Sequence, residues 1–74
     1  MIKNTYCCYN EYSDKFEIRN GEPRHVVHTE ECNYGIQLQF DINNELIAII
    51  IPEPNILFGI DSMLLQAFDC NNFT

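Results

Sequence analysis

His25-Val26-Val27-His28 followed by Cys32 spaces two imidazoles and a thiol as His-x2-His-x3-Cys, ligand types that suit zinc. The adjacent Cys7-Cys8 pair adds two further thiols, and together these residues sketch a small metal or redox protein. Two features work against that chemistry. If residues 24–28 are extended, side chains three apart leave opposite faces of the strand, and His25 and His28 do not converge on one ion. Cys7 and Cys8, adjacent on a strand, also point to opposite faces, and the chain has no Cys-x-x-Cys pair. The sequence therefore predicts no metal site and no cofactor.

Catalysis fares no better. A nucleophilic cysteine needs a nearby base and an electropositive setting that lowers its pKa, whereas this chain has two histidines and four basic residues in all. Ser13 and Ser62 stand in turn and cap contexts rather than in a G-x-S-x-G elbow. Carboxylate chemistry needs acids gathered in a pocket, but Glu11 and Asp14, then Glu30 and Glu31, fall in predicted loops. Gly21, Gly35 and Gly59 lie too far apart to cradle a phosphate. We expect no enzyme and no catalytic residues.

Positioning these side chains is the task of 74 residues, enough for a single small domain spanning 1–74. The chain carries 11 acidic against 4 basic residues, a formal charge of −7, which argues against nucleic acid as a direct ligand. It does suit solubility, and it would steer the protein toward a basic partner. The apolar fraction of 46% is too high for a disordered acidic tail. The longest apolar run, 46–51, is six residues, far short of a membrane span. With no export signal legible at the start of the chain, the expected setting is the cytoplasm, with Cys7, Cys8, Cys32 and Cys70 as reduced thiols.

The strongest local signal is a hairpin over 34–52. Ile36, Leu38 and Phe40 alternate with polar residues, and Asn43-Asn44 suits a tip at positive φ. That closure sets Phe40 opposite Ile47, Leu38 opposite Ile49 and Ile36 opposite Ile51, all on one apolar face. A bulged four-residue turn over 41–44 is the alternative. The other face pairs Gln37 with Ile50, Gln39 with Ala48 and Asp41 with Leu46, so Leu46 and Ile50 need cover from a helix, another strand or a second subunit. Upstream, 5–9, 16–18 and 24–28 read as further strands, and 29–33 as loop. Pro52 and Pro54 end the sheet. Ile60, Met63, Leu64, Ala67 and Phe68 then fall on one helical face, with Asp61 or Ser62 as cap. The expected fold is α+β, a four- to five-stranded, mostly antiparallel β-meander with one C-terminal helix packed on the sheet.

Two segments carry a family resemblance. Tyr9-Asn10-Glu11-Tyr12-Ser13-Asp14-Lys15-Phe16-Glu17-Ile18 resembles the opening Y-D-x-x-x-D-x-L-Y-I of a small bacterial family catalogued as domain of unknown function 2283. Residues 35–51 resemble its later half, a G-[IV]-x-L-x-[YF]-D strand, a short turn, then I-V-G-I-E-I. Tyr9, Asp14, Phe16, Ile18, Phe40, Asp41, Ile47 and Ile49 agree in type, and Asn44 takes the place of the family's turn glycine. Asn10 stands where Asp is usual, Ala48 where Gly is, and Ile50 where Glu is. The resemblance covers residues 9–51 and implies a compact β-rich domain with no assigned activity. It also implies an antitoxin role, since some members are held to be encoded beside small toxin-like ribonucleases. Ile50 in place of Glu puts a shared outer-face interaction in doubt and favours an apolar contact there.

The sequence thus predicts a non-catalytic protein-binding module, antitoxin-like, that masks a basic, ribonuclease-type protein. Leu46, Ile50 or the helix would supply the apolar contact, and Glu11, Asp14, Glu30 and Glu31 the electrostatic steering. A homo-oligomer through the outer sheet face or an edge strand is a further expectation. The alternatives are a phage or mobile-element inhibitor that mimics nucleic-acid charge, and a small Cys/His metal or redox protein.

Overall fold

Leu46–Pro52, with sequence Leu-Ile-Ala-Ile-Ile-Ile-Pro, is the most β-prone stretch of the chain and stands at the centre of the sheet. The computed structural model describes residues 5–68. In it, β1 (Thr5–Asn10), β2 (Lys15–Asn20), β3 (His28–Glu31), β4 (Gln37–Phe40) and β5 (Leu46–Pro52) form one antiparallel sheet in the order β1-β2-β5-β4-β3. Two short helices follow, α1 (Pro54–Phe58) and α2 (Ser62–Gln66), so the fold is α+β.

The order corrects the expected meander, because β2 pairs with β5 and not with β3. The physical reason is legible in the strands. β5 is apolar on both faces and is best placed with ladders on both sides. His28-Thr29-Glu30-Glu31 is polar on both faces and exposed throughout, which suits an edge. This third strand lies over residues that read as loop, while the expected strand at 24–28 is irregular up to Val27. Arg24 explains the shift. Its guanidinium donates to Asp41 Oδ2 at 2.8 Å, Glu45 Oε2 at 2.9 Å and the Asn20 carbonyl at 2.9 Å, which holds 24 out of a ladder. Val27 N–H then bonds Phe40 O at 2.9 Å, beside the His28–Phe40 pair.

The β4–β5 hairpin follows the expected register at Gln37–Ile50, Leu38–Ile49 and Gln39–Ala48, then slips so that Phe40 meets Leu46 rather than Ile47. Asp41 causes the slip. Its carbonyl accepts Asn44 N–H at 3.0 Å, and its Oδ1 accepts Asn43 N–H at 2.9 Å and Glu45 N–H at 3.0 Å. Asn44 takes φ 62°, the left-handed value that closes such a turn. The four-residue closure over 41–44 is therefore the observed one, and Asp41 is the buried charged residue of the described core at 7% exposure.

One sheet face carries Tyr9, Phe16, Ile18, Leu38, Ile49 and Ile51, all half-buried. On the other, Ala48 and Ile50 are buried at 1% and 5%. Register explains the second face. Glu17 and Gln37 flank Ile50, Arg19 and Gln39 flank Ala48, and long polar side chains shield the small apolar centre. An ion pair of 2.7 Å joins Arg19 to Glu17 along this row.

The expected single C-terminal helix over 60–68 is replaced by two five-residue helices separated by Gly59 at φ 65°. Asp61 caps α2 through Met63 N–H at 2.8 Å, as its position suggests. The buried residue of α2 is Leu65, however, and Met63 and Leu64 are 79% and 55% exposed. A helix of little more than one turn has no long face to enforce the pattern, so tertiary fit chooses the buried residue.

Asp41→Ala would remove one of the three acceptors of the Arg24 guanidinium and the side-chain acceptor of two turn N–H groups. Urea unfolding should show a loss of about 2–4 kcal/mol, against less than about 1 kcal/mol for the exposed Glu45→Ala change.

Candidate functional site

Tyr34 lies in a single 3-10 turn, Asn33–Gly35, between β3 and β4, at φ 64° and ψ 19°. Gly35 follows at φ 78°, and a side chain there would meet Pro52 Cγ at 3.4 Å, so the turn is held close to the end of β5. Beyond Pro52, Glu53 adopts φ 46° and donates its N–H to the Asp14 carbonyl at 2.8 Å. Its own carbonyl accepts from Ile56 and Leu57, both at 3.0 Å, which starts α1. Proline at the first helical position needs no N–H partner, and Pro54 is buried. These constraints leave Ile56 and Phe58 outward at 74% and 58% exposure, beside Tyr34 at 78%.

Tyr34, Ile56, Leu57 and Phe58 line one groove of about 380 Å³. Large apolar side chains gathered this way mark an interaction surface more often than isolated exposed ones do. A second depression of about 320 Å³ is lined by Arg24, His25, Val27, Asp41 and Ile42, with Asp41 and Arg24 already bonded to each other.

The residues expected to interact are scattered. Ile50 is buried between its sheet neighbours and offers no contact surface, which corrects the expectation that it awaits a partner. Leu46 is half-buried at the start of β5. Glu11 is exposed in the β1–β2 turn, and Asp14 at φ 53° accepts the Tyr9 hydroxyl at 2.7 Å. Glu30 and Glu31 lie exposed on β3, at the opposite edge of the sheet, with their side chains on opposite faces. The groove was not expected. Its signal was Pro54 and Gly59 bracketing Asn-Ile-Leu-Phe, a start and stop for a separate short helix.

Among the described residues no three His, Cys, Asp or Glu side chains gather as a metal group. The His28 ring lies tilted beside Phe40 with centroids 5.8 Å apart and contacts Glu30 at 3.3 Å, while His25 lines the second depression. Cys7 and Cys32 are free thiols, half-buried and exposed respectively. Cys8 is disulfide-bonded, contrary to the expectation of four reduced thiols. Such bonds persist in oxidising compartments, so the thiol state no longer speaks for the cytoplasm. Cys70 lies outside the described residues. Among those residues no helix is long and apolar enough to cross a membrane.

The Tyr9 hydroxyl is pushed up to about 12 by its hydrogen bond to Asp14, by burial, and by the negative charges of Asp14 and Glu11. A pKa raised on folding contributes stability that is complete below the unfolded value near 10 and is lost as pH rises through about 12. Absorbance titration should show Tyr9 ionising late, and Asp14→Asn should lower its pKa. Iodoacetamide without reductant should modify Cys7 and Cys32 and spare Cys8. No family model matches the chain, and no curated protein and no solved structure does either.

Proposed function

We propose that the protein is a non-catalytic binding module that covers a basic protein partner, as an antitoxin covers a ribonuclease-type toxin. The observation that carries this is the apolar groove of Tyr34, Ile56, Leu57 and Phe58 on a strongly acidic chain. The groove supplies desolvated contact area, and the charge supplies steering.

The distribution of charge supports the sign of the partner. Arg19 is paired with Glu17, and Arg24 with Asp41 and Glu45. Glu11, Glu22, Glu30, Glu31 and Glu53 are exposed. The field outside the protein is therefore negative, and a basic surface is attracted from a distance of about a Debye length, 8–10 Å at ordinary salt. Ile56 and Phe58 replace Ile50 as the apolar anchors, because they are the ones that remain accessible.

The test is affinity purification from the native host with tagged wild-type protein and with an Ile56→Glu, Phe58→Glu double variant, whose fold is checked by circular dichroism. The wild type should bring down a basic polypeptide in near-stoichiometric amount, with association slowed by added salt, and the variant should lose it. Recovery of no basic polypeptide, or equal recovery by both proteins, overturns the proposal.

A further inference from the structure

β3 is an edge of the described sheet, and its backbone alternation is fixed by the bond from Cys32 N–H to Ile36 O at 2.6 Å. With His28 opposite Phe40 and Glu30 opposite Leu38, the backbone groups of residues 28, 30 and 32 face β4. Those of Thr29 and Glu31 point away from it, toward the outside of the sheet. All four residues of β3 are exposed. The strand leads directly into the turn that carries Tyr34, which lines the groove with Ile56 and Phe58, so a strand laid along the edge and extended past Glu31 runs toward that groove.

We propose that this edge and groove together bind an extended, basic segment of another protein by strand addition. The guest strand bonds to the outward groups of Thr29 and Glu31, sets Lys or Arg side chains against Glu30 on one face and Glu31 on the other, and seats one large apolar residue in the groove. Since every ladder of the sheet is antiparallel, the guest runs opposite to β3, with its apolar residue ahead of its basic ones. Charge selects this guest. A second copy would bring Glu30 and Glu31 against their own kind, and like charges across a ladder repel. None of the described Lys and Arg residues, Lys15, Arg19 and Arg24, lies on β3, β4 or α1 to oppose a cationic strand, and His28 of β3, 3.3 Å from Glu30, shares that carboxylate with the guest. The site rests on the proposed role as a module for a basic partner and gives that role an address.

The probe is a short labelled peptide headed by Phe and carrying adjacent Lys residues, one for each face of the strand, among Val and Thr, titrated by fluorescence anisotropy. It should bind wild-type protein, and its affinity should fall roughly tenfold or more with Thr29→Pro, which removes an outward N–H without touching the ladder to β4. A similar fall is expected with Phe58→Glu and with peptide amides N-methylated at alternate positions. A peptide with Glu in place of Lys should not bind. If Thr29→Pro fails to fold, the N-methylated peptide against wild type decides. Equal binding of the methylated and parent peptides overturns the proposal, as does self-association of the free protein that Thr29→Pro abolishes. Capture of the native basic partner by folded Thr29→Pro protein refutes this site while leaving the binding role intact; loss of both peptide and partner from wild type refutes the two together.

Discussion

The carboxylate of Asp41 is the constraint on which the arrangement of this sheet turns. It is 7% exposed, and burying an ionised carboxylate is costly unless each oxygen is satisfied. One oxygen takes two backbone N–H groups of its own turn and the other takes Arg24. The first pair sets the slip that puts Phe40 against Leu46. The second fixes the segment that leaves β2 and delivers β3 to the far side of β4. A local turn and a long connection are thus tied to one side chain, and Arg24 adds a bond to the Asn20 carbonyl that anchors the end of β2 to the same point.

Once β3 is held at the far edge, β5 can take ladders from both β2 and β4, and burial follows from that placement. The half-polar face buries Ala48 and Ile50 because glutamate, arginine and two glutamines flank them in register. The aliphatic stems of such residues cover apolar surface while their heads stay in water. Cover that a second subunit could have supplied is provided within the sheet itself. Part of the accessible apolar surface lies on the short helices after β5, where Pro54 and Leu65 turn inward and Ile56, Phe58, Met63 and Leu64 are left outside.

Much of the sheet was legible in the sequence because its signals are local. Alternation located β2 and β4, an aromatic and thiol-rich run located β1, and a continuous apolar run after a turn located β5, while cross-strand matching gave three of the pairs in the central hairpin. Strand order was not legible, since nothing local states that β2 prefers β5 to β3. The polar strand His28–Glu31 was missed because it pairs through its backbone and buries no side chain that would leave a pattern. Likewise the C-terminal helical period at 60–68 is present, yet Leu65 is buried where Met63 and Leu64 were expected, since one turn of helix is oriented by its neighbours. Glu11, Glu30 and Glu31 are exposed, though the last two lie on a strand and not in a loop, and Asp14 is half-buried against the Tyr9 hydroxyl. The apolar half of the candidate site depended on Tyr34 meeting Ile56 and Phe58, a contact between segments that sequence separation conceals.

Glu30 and Glu31 show how one feature can serve two ends. An exposed edge strand is a template for uncontrolled pairing, and charges on it are a common protection. A pair of carboxylates, one on each face, repels other acidic edges, and every copy of this chain is acidic. The same pair lowers the energy of a strand that carries cations on both faces. Under the proposed strand addition the protection is selective in sign: it disfavours pairing with another acidic edge, while leaving the backbone groups of Thr29 and Glu31 to a basic guest. Lysine on this edge would have protected it as well and would have reversed the preference. The choice of glutamate, next to an apolar groove on a chain whose arginines are already paired, is what gives the edge a direction.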